Sequence, residues 1–303
     1  MLSIGERLVL SAVFFAVGLM LGRRGVRGPS RILGKVLLYI VLPYLMVYGI
    51  VYTSMTLVRS VTLVAVAYVA ISAAVIPLTY LKFLGRGPGV GAAMISSLFP
   101  NVGFLPIPLM LLLYGDPMPA VLYASMYNVA SAPVIPVLAS VGGESKPTAS
   151  LIIRRVLTFP FTIAAVVAFA IRFTLHPTPP APPPLPLVKD VFSEANIASF
   201  LIVGDAIARS RFGFRREVLA VMGWRLLASP AMHLGILAAI ASTSLPAVWV
   251  AGILIESFMP PATMNLVYAM MYGLDEEVVA VSIAYITPIA LALALIVRLV
   301  MPP

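Results

Sequence analysis

The chain has 303 residues, of which 61% are hydrophobic and 10% charged, too little polar surface to cover a soluble globular fold of this size. It has no cysteine, which excludes disulfides, zinc–thiolate sites and thiol catalysis. The formal net charge of +9 would suit nucleic acid in a soluble protein, but in a chain with mean hydropathy +1.06 it is read through where the charges sit.

A helix needs about 20 apolar residues to cross a bilayer. The apolar runs predict ten spans: 5–22, 33–53, 58–81, 90–114, 118–140, 151–174, 191–208, 217–241, 246–272 and 277–299. The fold class is therefore an all-α polytopic membrane protein, expected in the cell membrane, with lipid and no nucleic acid among its partners. No polar stretch is long enough for an extramembrane domain, so a nucleotide-driven pump would need a partner subunit. Span 1 is followed by its basic cluster and lacks a cleavage site of small residues, so it reads as a span and not as a signal peptide. Gly18 and Gly22 form a GxxxG pair, which predicts close helix packing.

The connections after spans 1, 3, 5 and 7 carry most of the basic residues, Arg27, Lys146, Arg155 and Arg211 among them. With Arg225 just inside span 8, this side holds 15 of the 20. The positive-inside rule then puts both termini outside. Asp275, Glu276 and Glu277 fall on the inner side, but acids count little in this rule. The segment 175–190, LHPTPPAPPPLPLVKD, is proline-rich and is expected to be a non-helical external linker, with docking of a partner as the alternative.

Spans 4 and 9 end alike, on Tyr114-Gly115-Asp116 and Tyr272-Gly273-Leu274-Asp275, and each has a proline break upstream. They are five spans apart, and an odd separation inverts the second copy relative to the first. The chain thus divides into two inverted five-helix repeats, 1–140 and 141–303, as in many secondary transporters. Span 4 is crowded by Pro100, Gly103, Pro106 and Pro108; span 9 holds Pro260 and Pro261. Each interior proline removes a backbone hydrogen bond, and freed groups in lipid must be satisfied by protein, ligand or water. At about 1.5 Å per residue, Asn101 lies roughly 16 Å and Pro260 roughly 20 Å into their spans, near the middle of a hydrocarbon core about 30 Å thick. Half-helix N-termini there suit a carboxylate, and unwound carbonyls suit a cation.

The candidate substrate residues are Pro100, Asn101, Gly103, Ser125, Asn128, Pro260, Pro261 and Asn265. As amides, Asn101 and Asn265 either hold a substrate carboxylate or cap the broken backbone. Ser125 and Asn128 share a face of span 5 with Ser131 nearby, and either line a cavity or bond across helices. The candidate ion-coupling residues are Glu256 and Asp205. A carboxylate at the depth of Glu256 must be protonated, paired or bound to a cation, sodium included. Asp205, four residues before Arg209, alternatively forms an i,i+4 ion pair. His233 either relays protons or is a satisfied packing residue. Gly28 to Lys35 imitates a phosphate loop but lacks its spacing, and no HExxH or GxSxG occurs.

Several stretches resemble the auxin efflux carrier family. FFAVGLMLGRRGVRGPSRILGKVLLYIVLPYLMVYGI (14–50) and FPNVGFLPIPLMLLLYGD (99–116) are similar to its first half. WRLLASPAMHLGI (224–236) and PPATMNLVYAMMYGLDEEVVAVSIAYIT (260–287) are similar to its second. The resemblance implies ten helices in two inverted repeats, spans 4 and 9 crossing at their breaks, a panel-like scaffold moving against a core, and export of small organic anions. The fold is shared with bile acid sodium symporters, in which the acid of the ninth helix helps to hold sodium. Glu256 with Met259 is similar, but Pro260 stands where those symporters tend to have a polar residue. The expectation is a secondary active transporter, not an enzyme, moving a small carboxylate on a proton or sodium gradient or on membrane potential, with no cofactor beyond that ion. The alternatives are a sodium-coupled importer and, remotely, an intramembrane aspartyl protease using Asp116 and Asp205. A homodimer is left open.

Overall fold

The computed structural model of the chain describes residues 2–26, 28–143, 148–177, 181–209, 213, 215–240 and 245–302; of Ala149, Leu151, Ile152 and Arg155 only the backbone is described. Arg27, Lys146 and Arg211 of the expected basic side, the Arg155 side chain and residues 178–180 of the expected linker lie outside the described residues.

The described residues form α1 (Ile4–Arg23), α2 (Gly28–Val36), α3 (Leu42–Tyr52), α4 (Met55–Phe83), α5 (Pro88–Leu98), α6 (Pro106–Tyr114), α7 (Met118–Ser131), α8 (Val134–Gly142) and α9 (Ala149–Thr158). These are followed by α10 (Pro160–Leu175), α11 (Leu185–Ala195), α12 (Ser199–Arg209), α13 (Arg216–Gly223), α14 (Ser229–Ala239), α15 (Ala247–Ser257), α16 (Met264–Tyr272) and α17 (Glu276–Val300). Every predicted span is occupied by helix over most of its length. Among the described residues five stretches are long and apolar enough to cross a bilayer: Ile4–Arg23, Gly28–Tyr52, Met55–Phe83, Leu185–Arg209 and Glu276–Val300. A sixth is the pair α7–α8, bent by 57° at Ala132-Pro133. The chain is therefore an all-α, multi-pass membrane protein.

Local sequence accounts for the boundaries. Ser3 and Glu6 cap α1 reciprocally, with Ser3 N–H donating to Glu6 Oε2 at 2.7 Å and Glu6 N–H to Ser3 Oγ at 3.3 Å. Asp275 caps α17, accepting from the Glu277 and Val278 amides. Proline opens α5, α6, α7, α10 and α11, where its missing N–H is one that a helix start leaves free. The same rule corrects the linker expectation. Leu185 to Asp190, expected to be non-helical, form the first part of α11, because Pro186 sits in the opening turn. Span 6 is likewise not one helix: Phe159, ahead of Pro160, leaves the helical region at φ −72°, ψ 128° and separates α9 from α10.

Two π-helical turns, Leu37–Val41 and Trp224–Ala228, each precede a proline, Pro43 and Pro230. Widening the helix there absorbs the missing N–H without breaking the span. Packing is closest between α1 and α12. A Cβ on Gly18 would lie 2.1 Å from Leu201 O, and one on Gly204 2.3 Å from Phe15 O. The GxxxG pair is thus a close-packing seam, as expected. α3 packs on α10, and α2 and α11 extend the same group. The remaining helices, α4 to α8 and α13 to α17, pack mainly on one another.

Candidate functional site

The two breaks meet. Residues 99–105 separate α5 from α6, and residues 258–263 separate α15 from α16. They run antiparallel through a single β-bridge between Pro100 and Pro261. Asn101 N–H donates to Pro260 O at 2.7 Å, and Ala262 N–H donates to Phe99 O at 2.9 Å. Four half-helices thus converge on one pair of backbone segments, whose freed groups partly satisfy each other. The distal half-helices end on glycines in the left-handed region, Gly115 at φ 73° and Gly273 at φ 66°, the stops that the Tyr-Gly pairs predict.

A cavity of about 410 Å³ lies against the first break. Arg31, Lys35, Asn101, Asn128, Phe104 and Thr263 stand on its wall, with further aromatic and aliphatic side chains between them. Its wall therefore combines α2, the first break, α7 and the start of α16. A second cavity of about 750 Å³ shares Ser30, Arg31 and Thr263 with it and reaches Arg209, Glu276 and Glu277. Two cations on α2 and the N-terminal ends of α6 and α16 make the first cavity a positive environment, whereas Asp205, Glu276 and Glu277 stand on the wall of the second. Pro106 and Pro108 lack N–H groups, so the α6 end acts more through its field than through donors.

The candidate residues separate on this wall. Asn101, Pro100, Gly103 and Asn128 line the cavity. Asn101 Oδ1 accepts from Phe104 N–H at 2.9 Å, which fixes the loop and, among the described residues, leaves its Nδ2 without an acceptor. Asn128 Nδ2 donates to Ala124 O at 2.8 Å. Ser125, on the same helix, is buried and donates to Val121 O, so it is a packing group. Asn265, expected at the substrate, is instead fully buried: its Nδ2 donates to Phe99 O at 2.8 Å and to Ile95 O at 3.4 Å, capping α5. Pro260 and Pro261 are buried in the bridge and off the cavity wall.

Behind the breaks lies a polar cluster whose centre was missed in the sequence. Arg225 is 0% exposed. It does not flank span 8, as the charge count assumed, and so drops out of the topology bias. Its Nε donates to Met259 O at 2.8 Å, and its Nη2 to Ser257 O at 2.9 Å and Glu256 O at 3.2 Å. Nη1 reaches Tyr68 Oη at 3.0 Å and Ser97 O at 3.4 Å. The guanidinium thus covers the C-terminal carbonyls of α15 and touches those of α5. Trp224 and Arg225 both lie in the π turn Trp224–Ala228. Trp224 Nε1 and Arg225 Nη1 both donate to Tyr68 Oη.

Glu256 is 1% exposed, and among the described residues neither of its carboxylate oxygens has a hydrogen-bond partner. Arg225 binds its backbone carbonyl and not its side chain. Nearby, His233 Nδ1–H donates to Ser229 O at 2.8 Å, so its Nε2 is the acceptor for Tyr123 Oη at 2.6 Å. His233 is therefore satisfied, as the packing reading expects. Tyr127 Oη donates to Leu98 O, another α5 terminal carbonyl.

Two further groups hold the first break from the other helix group. Asn196 Nδ2 donates to Gly103 O at 3.5 Å, and Ser199 Oγ donates to Phe104 O. Asp205 forms the i,i+4 pair expected of it, with Oδ1 2.9 Å from Arg209 Nε and 2.7 Å from Nη2. Asp116 accepts from Met118 N–H at 3.0 Å. Each aspartate is engaged locally, so they form no shared dyad. Among the described residues no three His, Asp or Glu side chains gather as metal ligands.

A lone cation inside an apolar span is itself a functional signal. Arg225 carries that signal in WRLLASP (224–230) as the ninth residue of the predicted span 217–241, and counting it with the flanking basic residues hid it. No family model matches the chain, and no curated protein matches it.

Proposed function

We propose that the chain is a secondary active transporter that moves a small organic anion, a carboxylate, across the cell membrane. The observation that carries this reading is the junction of two broken helices beside a cavity lined by Arg31, Lys35 and Asn101. Unwound backbone is tolerated at membrane depth where it lines a cavity or is buried in protein, and such junctions recur where transporters bind substrate. In this reading the ten helical stretches are ten crossings in two inverted five-helix repeats, and spans 4 and 9 cross near the midplane. The basic side is cytoplasmic, and both termini are outside. The resemblance to the auxin efflux carrier family supports the same arrangement. Asn101 donates through Nδ2 to the carboxylate, Arg31 and Lys35 draw it in, and Asn128 lines its path. The α1–α3 and α9–α12 group acts as the scaffold against which the other helices move. Glu256 handles the coupling ion, a proton or sodium, unless transport runs on membrane potential alone.

The test is flux in liposomes of purified protein, screened over small carboxylates under imposed pH, sodium and potassium-diffusion gradients. The reading expects saturable uptake of at least one carboxylate that Asn101→Ala weakens about tenfold or more, the worth of one charge-assisted hydrogen bond. It is wrong if no gradient moves any carboxylate. A sodium-coupled importer is the second reading, favoured by the unpartnered Glu256 carboxylate. Carboxylate uptake that requires sodium at fixed potential would select it.

A further inference from the structure

We infer that Arg225 is a tethered cation filling the position that a free coupling cation would take at the junction, so that this junction binds no sodium. The inference rests on the transporter reading only for its consequence for coupling; the occupancy itself stands on the geometry.

Broken helices present two kinds of end. Their N-terminal ends attract anions, and their C-terminal ends, with unwound carbonyls, attract cations. Here the C-terminal ends are those of α5 and α15. The carbonyls of Ser257, Met259 and Glu256, all at or beyond the last turn of α15, lie 2.8 to 3.2 Å from Arg225 nitrogens. Ser97 O, one residue before the end of α5, is 3.4 Å from Nη1. Leu98 O is taken by Tyr127, and Ile95 O and Phe99 O by Asn265. Ser257 O also accepts from Ser229 Oγ at 2.6 Å. The oxygens from which a small hard cation would build its shell are thus already directed at N–H and O–H donors.

What remains without a partner on α5, α15 and α16, among the described residues, is the Ser96 hydroxyl, the Asn265 amide oxygen and the Glu256 carboxylate, all buried. The charged form of Glu256 would need a cation against it, but the carbonyls that would complete that cation's coordination face a guanidinium. A second positive charge placed there would also meet Arg225 at short range in a low-dielectric interior. Arg225 is held by acceptors on four elements, α4 (Tyr68), α5, α14 (Ser229 Oγ at 3.4 Å) and α15 with its break, and cannot step aside without stranding them. The consequence for transport is that sodium does not couple through this junction, which leaves the proton or the membrane potential.

The experiment is thermal unfolding of the purified full-length protein in chloride salts of sodium, lithium, potassium or N-methylglucamine at equal ionic strength. The wild type is expected to unfold within about 1 °C in all four, whereas a cation site filled to ten times its Kd would add about 3 °C. A saturable sodium shift of that size, lost in Glu256→Gln, overturns the inference. Arg225→Ala empties the position. Its unfolding temperature is expected to rise saturably with sodium or methylguanidinium at concentrations that leave the wild type unmoved. No response to either cation also overturns the inference. If Arg225→Ala cannot be purified, Arg225→Lys and Arg225→Gln decide. Lys is expected to yield folded protein with no sodium response and Gln to yield little; equal yields would show that the charge is not what the position needs. Absence of carboxylate flux in liposomes, with these titrations unchanged, would remove the transporter reading and leave the tethered cation standing. Carboxylate flux driven by sodium through Glu256 would do the reverse.

Discussion

The first and second breaks begin from the same problem, a proline-interrupted apolar helix, and solve it differently. The first, residues 99–105, turns one side to a cavity and lends its carbonyls to neighbours on another helix group, through Asn196 and Ser199. The second, residues 258–263, shows only Ala262 and Thr263 to that cavity and buries a guanidinium and a carboxylate behind it. The lesson is that two proline breaks that meet at one bridge need not share chemistry. One break lines a cavity, and the other holds a buried guanidinium at a fixed place. If that division is right, substitutions at the second break act mainly on stability, and those at the first mainly on binding.

The largest effect is expected at Arg225. Arg225→Met removes every donor from the α15 carbonyls and leaves them buried. Removing one partner of such a buried charged network costs about 3–5 kcal/mol, enough to abolish most of the stability of a typical protein. Thermal unfolding in detergent measures it, and a loss below about 1 kcal/mol would mean that the carbonyls find other donors. Next is Asn265→Ala, which takes the amide donor from Phe99 O and Ile95 O. Phe99 O keeps its bond from Ala262 N–H, so the expected cost is smaller, about 1–2 kcal/mol. Because Asn265 is off the cavity wall, substrate affinity should stay within about twofold. A large affinity loss with intact stability would erase the distinction between the breaks.

How legible this was in the sequence depends on the kind of information. The helical stretches, the two breaks and the glycine stops follow from hydropathy and from what proline and glycine do to a backbone. The Asp205–Arg209 pair and the close packing at Gly18 and Gly22 were readable for the same reason: both are set by spacing along one helix, whereas α12 as the partner of that seam was not. The junction itself was not readable from composition. That Pro100 bridges Pro261 depends on how two distant segments pack, and only the resemblance implied it. Asn265 shows the limit most plainly. An amide beside a break can face ligand or cap backbone, and the choice is made by α5, 166 residues away in sequence. Arg225 was misplaced because it was counted with the flanking basic residues, although at about 1.5 Å per residue it lies roughly 12 Å into the predicted span. The proline-rich segment erred in the other direction, since six of its residues continue into α11 once Pro186 is recognised as a first-turn residue.

Asn101→Ala tests the first break. The folded state loses the bond to Phe104 N–H, worth about 1 kcal/mol, while carboxylate affinity in liposome uptake is expected to fall about tenfold or more. Asn101→Asp keeps the acceptor for Phe104 and places a negative charge toward the anion, so it should unfold near the wild-type temperature and yet transport less than Asn101→Ala. Equal transport by the two variants would mean that Asn101 serves the loop and not the ligand.

The smallest stability effect, and the most telling, is expected at Glu256. Glu256→Gln keeps the shape of a side chain that has no hydrogen-bond partner to lose among the described residues. Replacing a protonated acid should shift stability by no more than about 1 kcal/mol; a larger gain would show that the acid is charged in the folded state, because the cost of burying an unpaired charge then disappears. Arg225 limits the gain, since a neutral Gln no longer offsets the guanidinium. Function should respond in the opposite sense. If Glu256 carries the coupling proton, Glu256→Gln still binds the carboxylate but no longer accumulates it under a pH gradient at zero potential, while exchange at equal pH on both sides persists. Accumulation that survives in the variant would leave membrane potential as the driving force and reduce the acid to packing. A loss of several kcal/mol in stability would instead mean that the carboxylate has a structural partner, and the division of labour between the two breaks would then have to be redrawn.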